Sequence, residues 1–191
     1  MAADPRIAGL VLAGGSGTRL GRSKAAVVMR GRTLVERAVD QMVARGLDVV
    51  VVSRPEVPLP RLRVPVVVDR QGVRGPMNAL ATGLEHLDAD DVVVLACDLP
   101  FAGPVLDRLI AAPPGHAVAA ADSRPQPLCA RYPRAAALEA CERLLARGVR
   151  RMTTLLDELG AATMAVHGDE LFNVNTADDL GRARLHAPAD C

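Results

Sequence analysis

Uninterrupted apolar runs recur at short intervals along the chain, most of them closing on a glycine, an aspartate or a serine. Ile7 to Ala13 is the first. Its shortness and its lack of polar alternation predict a strand buried on both faces. Thr33-Leu34-Val35-Glu36 then fits a capping box, with a hydroxyl at the N-cap and a carboxylate three residues later. Val35, Ala38, Val39, Met42 and Val43 fall on one helical face, and Gly46 supplies the stop. Val49 to Val52 reads as the next strand.

The same alternation continues to the end of the sequence. Val64 to Val68 predicts a strand ending at Asp69, and Met77 to Leu87 a helix behind Gly75-Pro76. Val92 to Ala96 predicts a strand ending at Cys97-Asp98-Leu99-Pro100. Pro104 to Ala111 is helical, Ala117 to Ala121 and Leu128 to Tyr132 extended. Ala135 to Ala146 and Thr153 to Leu159 are helical, and Thr163 to His167 is a strand. Thr176-Ala177-Asp178-Asp179 opens a last helix with an N-cap and an acidic first turn. Pro55 to Pro65 holds four prolines and reads as an extended connection.

Apolar strands alternating with helices predict an α/β fold: a mostly parallel sheet with helices on both faces, a three-layer sandwich. No repeat, low-complexity tract or linker interrupts it. Residues 1–185 are therefore expected to form one domain, with residues 186–191 a frayed tail.

Composition narrows what such a domain does. Phe101, Phe172 and Tyr132 are the only aromatic residues, so the core is aliphatic and no stacking platform for single-stranded nucleic acid can be built. With 23 Lys and Arg against 22 Asp and Glu, the balance gives no attraction to DNA or to a membrane surface. Cys97, Cys129, Cys141 and Cys191 show no C-x-x-C spacing, which predicts reduced thiols and a cytoplasmic location. The residues after Met1 do not resemble a signal peptide, and no run is long enough to span a bilayer.

Ligands of an open parallel sheet collect at the carboxyl ends of its strands. Three candidates sit there. The first is the loop Gly14-Gly15-Ser16-Gly17-Thr18-Arg19-Leu20-Gly21-Arg22-Ser23-Lys24. Its glycines let backbone N–H groups approach a polyphosphate, and Arg19 and Lys24 can neutralise it. Gly15, Gly17 and Gly21 are spaced one residue too far for the dinucleotide fingerprint, and no P-loop pattern is present. A tight strand-to-helix turn with solvent-facing cations is the plainer alternative.

Asp98 is the second candidate. It could hold Mg²⁺ through oxygen ligands, or cap the helix near Pro104. Asp69 is the third, and could bind a nucleoside or support the loop. Gly75-Pro76 suits backbone contact with a ligand or simply a helix start. Asn173 and Asn175 could bond a heterocycle or phosphate, or neighbouring backbone. The histidines at 86, 116, 167 and 186 are scattered and suggest no catalytic set.

Together these segments resemble a known family. Leu12-Ala13-Gly14-Gly15-Ser16-Gly17-Thr18-Arg19-Leu20-Gly21 with Lys24 is similar to the signature of nucleotidyltransferases that activate sugars or pterins. Gly75-Pro76, Cys97-Asp98-Leu99-Pro100-Phe101, Gln126-Pro127-Leu128, Arg150-Arg151-Met152 and Asn173-Val174-Asn175-Thr176 resemble, within that group, the molybdenum cofactor guanylyltransferases. The matches run in order from about residue 7 to residue 182.

The resemblance implies a Rossmann-like fold and transfer of GMP from GTP to molybdopterin, with release of pyrophosphate. It implies contacts from Leu12, Ala13 and Gly14 to guanosine, and from the loop, with Gly15 and Gly17, to the phosphates. Lys24 and Arg19 would neutralise the triphosphate, Asp69 would contact the nucleotide, and Asp98 would bind Mg²⁺. Gln126, Arg150, Asn173 and Asn175 would lie near the pterin. Partners would be molybdopterin itself and molybdoenzymes that deliver or receive it.

The chain departs from the pattern at Ser23, where an aspartate is common. It departs again at Met77-Asn78-Ala79, where Leu-Ala-Gly is usual, and at Ser53-Arg54, where an amide often stands. No binding role passes to Ser53 or Arg54. A related nucleotidyltransferase using CTP with molybdopterin or another phosphorylated acceptor, and a non-catalytic nucleotide-binding module, are the alternatives; Cys97-Asp98-Leu99-Pro100 favours the guanylyl branch, since cytidylyl relatives tend to carry Asp-Gln-Pro there.

Overall fold

A computed structural model describes residues 5–15, 23–70, 74–113 and 117–186. A seven-stranded sheet forms its centre. In chain order the strands are β1 (Ile7–Leu12), β2 (Val28–Met29), β3 (Arg32–Thr33), β4 (Asp48–Ser53), β5 (Val66–Val68), β6 (Asp91–Ala96), β7 (Ala117–Ala121), β8 (Arg124–Pro133) and β9 (Ala162–Ala165). The helices are α1 (Leu34–Val43), α2 (Pro76–His86), α3 (Gly103–Ala111), α4 (Arg134–Ala146), α5 (Met152–Leu159) and α6 (Ala177–His186). The large sheet runs β5-β4-β1-β6-β8-β7-β9, and only β8 is antiparallel to its neighbours. β2 and β3 make a separate hairpin.

Each central strand feeds two cores because successive side chains point to opposite faces. Leu10, Leu12, Val50, Val52, Val92 and Val94 pack with α2, α4 and α5. Val11, Val49, Val51, Val93 and Leu95 pack with α1 and α3 on the other face. This double burial is why the strands read as unbroken apolar runs. Gly83 lets α2 lie close on β1: a Cβ there would come within 2.3 Å of Leu10 Cδ1.

Local sequence explains most element starts. Thr33 Oγ1 accepts from the Glu36 N–H while the Glu36 carboxylate accepts from the Thr33 N–H at 2.8 Å, completing the expected capping box. Thr176 Oγ1 likewise accepts from the Asp179 N–H at 3.1 Å and caps α6. Val43 departs from the expected apolar face of α1; it is exposed, and Leu34 takes its place in the interior.

β8 is longer than its apolar centre predicts. Residues 129–133 pair with β6, whereas Arg124 and Pro125 pair only with β7, so the missing proline N–H interrupts no two-sided ladder. Its Arg131 is buried, bonded to Asp91 at 2.7 Å and to the carbonyls of Ile110 and Ala112 at the end of α3. The free cysteines Cys97, Cys129 and Cys141 are buried. No described helix is long and apolar enough to cross a membrane. His186 is the last residue of α6; the rest of the expected tail lies outside the described residues.

Candidate active site

The chain steps outward from β1 to β4 and β5, then returns to place β6 on the other side of β1. Such a reversal opens a crevice beyond the carboxyl ends of the strands. A cavity of about 430 Å³ lies there. Leu12, Gly14 and Gly15 line it from β1, Arg54 and Asp69 from β4 and β5, and Cys97 and Asp98 from β6. Gly75, Pro76 and Ala79 close it from α2, and Gln126, Leu128 and Asn173 from the β8 side.

Lys24 is brought to Asp98 across 74 residues of sequence. Its Nζ donates to Asp98 Oδ2 at 2.7 Å and also bonds Asn175 Oδ1. Two backbone features place these groups. The Cys97 N–H donates to the Leu12 carbonyl, fixing the end of β6 beside that of β1. The Val174 N–H donates to the Asp98 carbonyl at 3.0 Å, while Val174 itself is fully buried among Val27, Met29, Leu34 and Ala183. The extended Asn-Val-Asn segment is thereby anchored by its apolar middle residue, with amides to either side. Asp98 caps no helix; Ala102 occupies that position before α3.

Asp69 is buried at the other end of the cavity. Its Oδ1 accepts from Asn78 Nδ2 at 2.6 Å and from Thr82 Oγ1 at 3.1 Å. Asn78 Nδ2 also donates to the Arg70 carbonyl. Burial pushes the Asp69 carboxyl above the usual range, opposed by the hydrogen bonds from Thr82, the Arg70 backbone and Asn78, and by the charge of Arg54. Gly75 precedes α2 at φ 139, a backbone conformation open to glycine and strained for other residues.

Most of the expected site residues converge here, though unequally. Leu12, Gly14, Gly15, Lys24, Asp69, Asp98, Gln126 and Asn173 line one cavity, and Asn175 bonds to Lys24 at its edge. Ala13 is packed in the core, its N–H donated to the Val52 carbonyl, and does not line the cavity. Arg150 is exposed ahead of α5 and also lies off the lining. Gly17 and Arg19 lie outside the described residues. Arg54, given no role from the sequence, is part of the wall.

The donor set suits a hard cation. No group of three or more His, Cys, Asp or Glu gathers among the described residues. A divalent ion would thus depend on Asp98, through the carboxylate oxygen not bonded to Lys24, and complete its shell with substrate oxygens and water. That is the usual habit of Mg²⁺. A larger hollow of about 710 Å³ lies against α1 and α3, where Arg32 pairs with Asp40 and Arg45 with Asp107.

Residues 9–162 match the family model described as the MobA-like NTP transferase domain. The molybdenum cofactor guanylyltransferase of Rhodobacter capsulatus is 34% identical over 194 residues, covering 96% of this chain and all of the relative. The molybdopterin-guanine dinucleotide biosynthesis protein A of Archaeoglobus fulgidus superposes with a TM-score of 0.76 at 28% identity, covering 93% of this chain and 96% of its own. The 2-C-methyl-D-erythritol 4-phosphate cytidylyltransferase of Thermus thermophilus shares the fold, with a TM-score of 0.71 at 20% identity and coverage of 92% and 96%.

Proposed function

Because the chain belongs to the MobA-like NTP transferase domain family, we propose that it transfers GMP from GTP to molybdopterin and releases pyrophosphate. The observation that carries this reading is the Lys24–Asp98 pair at the strand-end crevice, a cation and a carboxylate set side by side at one end of a nucleotide-sized cavity. The guanylyltransferase names of full-length relatives supply the base and the acceptor.

The terminal phosphate of the pterin attacks the α-phosphorus of GTP, an oxygen–phosphorus bond forms, and the bond to the departing pyrophosphate breaks. A phosphate is already anionic at neutral pH, so no strong general base is required. Catalysis then falls to positioning and charge. Lys24 donates to non-bridging phosphate oxygens, and Asp98 and Asn175 orient it from behind. Asp98 would hold Mg²⁺, which would supply the remaining positive charge. Gln126 and Asn173, on the β8 side, face the acceptor, and the loop glycines contact the phosphates.

The test is turnover of the full chain with GTP, Mg²⁺ and molybdopterin, read as pyrophosphate release and as dinucleotide product. Equal or greater turnover with CTP would reject the guanylyl assignment. Nucleotide binding with no Mg²⁺-dependent turnover would reject the enzyme.

A further inference from the structure

Arg54 follows β4 directly, at the end of the cavity away from Lys24. Its stem lies over the first loop glycine, so that a Cβ on Gly14 would sit 3.5 Å from Arg54 Cγ and 3.8 Å from Nε. The side chain is only 18% exposed. Its Nε is buried and has no hydrogen-bond partner. The nearest recorded carboxylate, Glu56, stands 3.6 Å from Nη1, beyond hydrogen-bond reach, and also draws Arg74 at 3.5 Å. A desolvated guanidinium with an unused donor, facing a cavity, calls for an acceptor from a ligand.

The surroundings select the kind of acceptor. Asp69 lines the same end of the cavity and makes no ion pair with a described residue, so a phosphate placed there would meet an unpaired carboxylate, whereas Asp98 at the other end is paired with Lys24 at 2.7 Å. The phosphates belong instead beside Lys24. Leu12, Pro76 and Ala79 give this end apolar walls suited to a flat ring. The base therefore falls to Arg54. Guanine offers two adjacent acceptors, O6 and N7, which match the two-pronged guanidinium; adenine sets an amino donor beside N7 and does not.

We propose that Arg54 is a specificity-determining residue that donates to O6 and N7 of the guanine of GTP. The inference rests on the GTP-dependent reading above.

Direct binding of triphosphates to the full chain tests it. The probes are GTP, 7-deaza-GTP, which lacks the N7 acceptor, 2-aminopurine riboside triphosphate, which lacks O6 and with it the N1 proton, and ITP, which lacks only the 2-amino group. Wild type should bind the 7-deaza and 2-aminopurine analogues roughly 5- to 150-fold more weakly than GTP. In Arg54→Met the 7-deaza penalty should shrink to about twofold or less and the 2-aminopurine penalty should fall by a similar factor, while the ITP penalty is unchanged, as expected when one partner of a coupled pair is removed. Arg54→Lys, which keeps the charge and loses the fork, should bind GTP yet discriminate less than wild type.

Wild type that binds both analogues as tightly as GTP overturns the proposal without any variant. So does an Arg54→Met protein that loses the same factor for every nucleotide. Wild type that binds no GTP at all rejects the functional reading, and this one with it. GTP binding without discrimination rejects this one alone.

Discussion

Replacing Asn78 by alanine probes how the buried carboxylate at the β5 end of the cavity is held. The amide donates to Asp69 Oδ1 at 2.6 Å and to the Arg70 carbonyl at 3.0 Å, in a position only 3% exposed. Hydrogen bonds to a charged group contribute about 1.5–3 kcal/mol each, and water cannot readily replace a buried donor. Loss of both contacts should cost about 3 kcal/mol, or about 6–12 °C in Tm for a chain of this size.

The pH dependence is a sharper signature. The Asp69 carboxyl is already raised above its ordinary value of 3.8 by burial, and the Asn78 amide is one of the groups holding it down. Between the ordinary and the raised value the folded chain binds a proton that the unfolded chain does not. Stability from this group is full below the ordinary value and falls as pH climbs through the raised one. Asn78→Ala lifts that raised value further. The Tm deficit relative to wild type should therefore be smallest in acid, where only the Arg70 contact and the packing defect count. It should grow through the weakly acidic range. Thermal melts of both proteins across this range are the assay, with KM for GTP expected to rise in the variant. A deficit of constant size at every pH, or none, would refute the argument.

Three other outcomes follow from the same structure. Asp98→Ala or Lys24→Ala should slow pyrophosphate release by roughly 10²–10³-fold with the fold intact by circular dichroism; unchanged turnover removes either residue from the mechanism. Asp91→Ala strands the buried Arg131 charge and should cost about 3–5 kcal/mol in urea unfolding, while leaving the site residues in place. Burial pushes the thiols of Cys97, Cys129 and Cys141 up to about 12. A maleimide at pH 7–8 should therefore leave all three unmodified in the native protein and label them after denaturation; native labelling of any of the three, mapped by mass spectrometry, would contradict their burial.

What the sequence could and could not disclose follows from the range of the forces involved. Apolar runs and caps are local, so the main strands of the parallel half, the capping box at Thr33 and the strand-end positions of Asp69 and Asp98 were all readable. The β2–β3 hairpin was not. Its strands are two residues each, and its turn places Arg30 and Gly31 at φ 51 and 77 without a strong turn pair to announce it. Arg131 sat unremarked in an apolar stretch because its partner, Asp91, comes from another strand.

Arg54 was missed for a similar reason. Nothing around it in sequence separates a cavity wall from an exposed loop, and only its packing over Gly14 does so. Arg150 was named from a motif position as a neighbour of the pterin; in the fold it stands in solvent ahead of α5, off the cavity lining. The Asn173-Val174-Asn175 segment was legible as paired amides, but its bond to Lys24 depends on a contact 151 residues away.

The ammonium that joins Asp98 and Asn175 is the side chain of the chain's one lysine. All other fixed side-chain cations are arginines, which amine-directed reagents leave alone. Among the side chains of this sequence, acylation of the native protein can then mark one amine, at the centre of the proposed active site. A single mass increment at Lys24, and its suppression by a bound triphosphate, would report occupancy of that centre with no engineered label and no background from the surface.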